Sequence, residues 1–159
     1  MLYTNEIMYV NTNHSYSNLL PIICENGVNL KLKQEIVHKF FIKHLENTYK
    51  EQNANYIYFI YDSLDYFTIN SILIGIIYIE RVLDSYRVDT VEDFLKFFYA
   101  TLVVSSKYQC DYAFDNAMLE FDRVPVYEIN YYETILLSAL NYDLIVNEEE
   151  YNYITSVYL

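Results

Sequence analysis

The sequence predicts an all-α protein, and three observations carry that expectation. Glycine and proline together occupy only four positions of the 159, too few for the turns of a many-stranded β-fold. Apolar residues recur at helical spacing through long segments. Third, from Phe94 to Ser106 the only charge is Lys96, so Val91 to Tyr108 reads as a helix apolar on every side. Such a helix has no face for water and becomes the one that others pack around. The length suits one domain with one core.

Taken in order, residues 1–27 are polar and irregular, and Asn26-Gly27 reads as the turn that closes a flexible N-terminal arm. The helical domain then spans 28–159. Its first helix, 29–51, carries an apolar stripe of Ile36, Val37, Phe40, Phe41, Leu45 and Tyr49. The five lysines of this segment lie mostly off the stripe, either as an ordinary solvated face or as a second contact surface for a partner. A short apolar helix follows over 54–64, then a cap-rich hinge at 68–71 and a nearly all-apolar helix over 72–84. Thr90, with Asp93 three residues on, caps the central helix. A loop over 109–115 and about one and a half helical turns over 116–121 lead to Pro125, which suits the first turn of the helix 126–140. Asn141-Tyr142-Asp143 ends that helix. Asn147 opens the last one, with Glu148, Glu149 and Glu150 in its acid-favouring first turn.

Net charge is −12 and uneven. Residues 1–53 hold five basic and five acidic side chains, whereas 82–159 hold four basic against fourteen acidic. The acidic half repels nucleic acid and anionic membranes and favours a basic protein partner, unless it is simply a solvated surface. Cys24 and Cys110 lack metal or redox spacing, which points to a reducing compartment. No cationic segment precedes an apolar one at the N-terminus, so no secretory signal is expected. The run Ile72 to Ile79 is far shorter than the ~20 residues of a membrane span. No zinc, nucleophile or phosphate-loop motif occurs, and the expectation is a binding protein without cofactor or metal rather than an enzyme.

One side chain breaks the pattern. On the 126–140 helix, Ile129, Leu136, Leu137 and Leu140 define the apolar face, and Glu133 lies within about 60° of each. A carboxylate there needs a cation or must reach the rim of the core, because leaving it buried and unmatched costs several kcal/mol. Lys107, emerging from the end of the central helix, is the candidate. The pair is either an internal structural contact or two groups facing a groove and binding another protein.

Tyr78-Ile79-Glu80-Arg81, then Ser105-Ser106-Lys107-Tyr108, then Glu128-x-Asn130-x-x-Glu133-x-x-Leu136-Leu137-x-x-Leu140-Asn141-Tyr142-x-Leu144, in that order, resemble the cyclin box over about 54–153. The acidic loop followed by Asn116-Ala117 is similar to the P-type (U-type), single-box branch. The resemblance implies a five-helix box around its third helix, with the 29–51 helix as an N-terminal addition. It implies a regulatory subunit, not itself an enzyme, that binds a cyclin-dependent protein kinase and stabilises its active arrangement. It further implies a monomer when free, a heterodimer with the kinase, and a cytoplasmic or nuclear location. Lys107, Glu133 and, in the acidic loop, Asp111 are the implied kinase-contacting residues. Two patterns depart from the family: Asp122-Arg123 stands where Gly-Gly is frequent, and the Asp-Trp of the mitotic cyclins' docking patch has no counterpart. A cyclin-fold adaptor that activates no kinase is the alternative.

Overall fold

The computed structural model describes residues 26–45, 54–109, 116 and 124–159. Among them every regular element is helical. In chain order these are α1 (Asn26–Leu45), α2 (Ala54–Ser63) with a 3-10 turn (Leu64–Tyr66), α3 (Ile69–Ser85), α4 (Val91–Gln109), α5 (Val126–Ala139) and α6 (Glu148–Tyr158). None of these helices is long and apolar enough to cross a membrane.

The central position of α4 holds. Every residue from Phe94 to Ser106 is buried except Lys96, and α4 packs against α2, α3 and α5. Thr90 opens it as the spacing predicts: Asp93 N–H donates to Thr90 Oγ1 at 3.0 Å. The tightest approach is between α3 and α4 at Gly75, where an added Cβ would lie 3.1 Å from Leu102 Cδ2 and 3.4 Å from the Leu102 backbone nitrogen. Absence of a side chain there lets the two backbones close up. Ser105, buried, donates to Ser71 O at 2.7 Å and to Leu102 O at 2.9 Å, tying the end of α4 to the start of α3.

Several boundaries differ from expectation. Helix α1 begins at Asn26, so Asn26-Gly27 lies inside the helix rather than forming a turn. The first turn of a helix has no backbone acceptors for its N–H groups to lose, so Asn-Gly is tolerated there. The arm through residue 25 and the stretch 46–53 lie outside the described residues. Helix α3 starts at Ile69, with Thr68 as its N-cap accepting from Ser71 N–H at 3.0 Å; the polar residues read as a hinge are its first turn. Pro125 is the N-cap of α5 rather than part of its first turn.

Lys33 is a correction of a different kind. It falls on the apolar stripe, at i−3, i−4 and i−7 from Ile36, Val37 and Phe40, and is only 6% exposed. Its ammonium donates to Leu64 O at 3.2 Å, and burial pulls its pKa below the ordinary lysine value, with Asp65 opposing. Lys39 donates to Tyr158 O at 3.1 Å, and Lys43 to Glu80 at 2.8 Å. Three of the α1 lysines therefore fasten α1 to the body. Lys31, Lys39 and Lys43 nonetheless remain exposed, and Lys50 lies outside the described residues.

Helix α6 closes the fold against α3 and α1. Asn147 and Glu150 form a reciprocal capping box at its start. Arg81 of α3 holds the connection before it, donating to Asp143 O, Ile145 O and both carboxylate oxygens of Glu150. Asn141 takes a left-handed conformation, φ 51°. Tyr142 N–H bonds Leu137 O and Asn141 N–H bonds Ser138 O, the two bonds of a Schellman C-cap.

Candidate functional site

Helices α4 and α5 bring together the two ends of the predicted pair. Lys107 sits in the last turn of α4, where a cation also complements the helix dipole. Its Nζ donates to Glu133 Oε1 at 2.7 Å and Oε2 at 2.9 Å. The Lys107 side chain is 28% exposed and that of Glu133 16%, so the pair lies at the rim of the core, neither sealed within it nor free on the surface. Glu133 is thus at the edge of the apolar face whose buried members are Ile129, Leu136 and Leu140, while Leu137 is only half-buried.

A third group, Asn116, was not assigned this contact from the sequence. Its Nδ2 donates to Glu133 Oε2 at 2.6 Å and to Asn130 Oδ1 at 2.6 Å. Asn116 is 5% exposed, and its Oδ1 has no hydrogen-bond partner among the described residues. Asparagine so placed supplies both amide protons, one to a charged and one to a neutral acceptor, and fixes the carboxylate plane. The sequence places Asn116 at the start of the expected helical turns over 116–121, of which residues 117–121 lie outside the described residues, and nothing in its spacing pointed to Glu133. Asp111, the remaining implied contact, lies outside the described residues.

Hydrogen-bond capacity decides what the site can still do. Glu133 accepts three bonds, and both amide hydrogens of Asn116 are used. Lys107 has used two of its three ammonium hydrogens. Among the described residues one ammonium hydrogen of Lys107 has no acceptor, on a partly exposed side chain beside the exposed Tyr108. That donor suits an acceptor such as a backbone carbonyl. Among the described residues no group of three or more His, Cys, Asp or Glu could hold a metal ion.

A second ionic cluster lies on the other flank of α5. Lys96, the one charge in the buried part of α4, is bound by Glu92 and Glu128. Burial opposes its charge, but the hydrogen bonds to those carboxylates outweigh burial and hold its pKa above the ordinary lysine value. Tyr132 OH donates to Asp93 Oδ1 at 2.7 Å. Thr90 and then Tyr132 keep the Asp93 carboxyl below its usual range.

A shallow open groove of about 420 Å³ runs between α1 and α2, with Ile57, Tyr58 and Tyr61 on one wall and Lys31, Gln34 and His38 on the other. It is remote in the chain from the Lys107–Glu133 pair and contains none of the predicted site residues.

No family model matches the chain, and neither a curated protein nor a solved structure matches it significantly.

Proposed function

We propose that this chain is a cyclin-type regulatory subunit, with a single cyclin box over about residues 54–153 built around α4, and that it binds and activates a cyclin-dependent protein kinase. The observation that carries the reading is the Lys107–Glu133 pair, held at 2.7 Å at the rim of the core, with one ammonium hydrogen lacking an acceptor among the described residues. It supports the proposal because these are the two residues that the sequence resemblance to cyclins assigns to kinase contact. The buried helix α4, ending at that pair, supports it as well, since the box is built around such a helix.

Activation in this reading is a bias between two kinase states. The kinase's regulatory αC helix must swing in so that its glutamate pairs with the ATP-binding lysine. A subunit that binds the active state better by about 3 kcal/mol raises it from about 1% to more than half of the population. Lys107 supplies the charged donor for that contact, and Glu133 with Asn116 holds the ammonium in place.

The test is phosphoryl transfer by recombinant cyclin-dependent kinases, each assayed alone and with the chain added. Activation of at least one kinase by about fiftyfold is the expected result. A chain that binds a kinase tightly but leaves its rate unchanged is an adaptor, the alternative reading.

A further inference from the structure

The outward face of α5 differs from the rest of this acidic molecule. Tyr127, Asn130, Tyr131, Thr134 and Ser138 are all exposed, and none is charged. Tyr127 is 76% exposed and Tyr131 60%. Four residues apart, they stand on one side of the helix about 6 Å from each other along its axis. Tyr131 is not loose. Its ring meets Tyr132 edge-on at 5.3 Å between centroids, and Tyr132 is anchored to Asp93 by its hydroxyl.

Around this pair the charge is one-sided. Residues 126–159 contain six carboxylates and no basic side chain. Beside Tyr132 lie Asp93, which accepts its hydroxyl, and Glu128, which shares the ammonium of Lys96 with Glu92. Two adjacent exposed aromatic faces next to an excess of negative charge form a slot for a flat cation. Guanidinium fits better than ammonium, because it stacks on aromatic rings and is more weakly hydrated. The same negative charge excludes nucleic acid as the occupant.

We propose that the Tyr127–Tyr131 face of α5 is a docking surface for an arginine-bearing peptide segment of a protein partner. The guanidinium stacks on the two tyrosine rings, and the carboxylates on the Glu128 side attract it. This surface is separate from the Lys107–Glu133 pair: on the α5 wheel the two tyrosines lie about 120° and 160° from Glu133. The proposal therefore does not depend on kinase binding.

Three acetylated, amidated peptides test it: one with two arginines spaced by glycines, one with lysines in their place, and one with uncharged citrullines. Binding to the full chain is followed by shifts in its backbone amide NMR signals. The arginine peptide is expected to bind best, with shifts centred on 127–138, and the citrulline peptide is expected not to bind. Tyr127→Leu and Tyr131→Leu should each weaken the arginine peptide by about tenfold. Tyr153→Leu, an equally exposed tyrosine on α6, and Lys107→Ala should leave it unchanged. Both tyrosines point to solvent, so their replacement leaves the fold intact, which thermal melts of the variants check. Equal binding of arginine and lysine peptides, insensitivity to both α5 variants, or no binding at all would each overturn the proposal.

Discussion

Lys107 and Glu133 form a pair whose partial burial sets what its loss should cost. Exposed pairs contribute about 1 kcal/mol or less, and breaking a sealed pair costs about 3–5 kcal/mol. At the rim, with Asn116 still bonded to Glu133, Lys107→Ala should destabilise the free protein by about 1–2 kcal/mol, measured by chemical denaturation. On the proposed function, binding to a kinase should fall by more, about 2–5 kcal/mol by calorimetry, because the ammonium would lose a contact made only in the complex. A loss confined to stability would make the pair structural. Glu80 makes a second, independent prediction. The His44 imidazole, its Nε2 3.5 Å from the carboxylate, and then the Lys43 ammonium, hydrogen-bonded at 2.8 Å, act against burial and hold its pKa at about 2 instead of 4.5. A depressed carboxylate stabilises the fold above its unfolded value, and that contribution disappears as pH falls from 4.5 through about 2. Acid titration of stability should therefore be shallower for Glu80→Gln than for the parent by about 2 kcal/mol across that window. Identical acid limbs would mean that the α1–α3 contact at Glu80 contributes nothing.

Between elements, the α3–α4 contact sets the geometry of the site, since α4 carries Lys107. Gly75→Ala would gain about 1 kcal/mol of helix propensity but force a methyl against Leu102 and Thr101. Overpacking costs about 1–3 kcal/mol and rises with volume. Gly75→Val should thus lose at least about 2 kcal/mol, and Leu102→Ala, fully buried on the other side of the contact, about 2–5 kcal/mol. Urea unfolding of both variants checks this; a loss under half a kcal/mol for Leu102→Ala would remove α4 from the centre. This centre was legible in the sequence because an all-round apolar helix with a threonine cap has few alternative positions. The α5 pattern was legible too, and with it the anomaly at Glu133. What stayed hidden was the chemistry of single long-range bonds. Lys33 lies on an apolar stripe, and only a carbonyl thirty-one residues away satisfies it. Arg81 reaches over sixty residues to clamp the turn before α6. Neither acceptor has a sequence period.

Across the whole molecule, the charge of −12 is distributed so that most described cations are consumed internally. Lys39 and Lys43 fasten α1, Arg81 clamps the approach to α6, and Lys96 joins α4 to α5. Lys107 differs in its place, not its exposure: its half-buried ammonium is held by Glu133 at the end of α4, the most deeply buried helix, whereas Lys39 and Lys43 are more exposed. Spacing alone pointed to this pair without deciding between an internal contact and a partner contact. Its geometry serves both, because the bond that holds the lysine also aims it. Kinase activity titrated with the parent chain and with folded Lys107→Ala separates them most directly. The account predicts saturable activation by the parent and a concentration requirement at least about thirtyfold higher for the variant. Activation by both at the same concentration, or by neither, would contradict it.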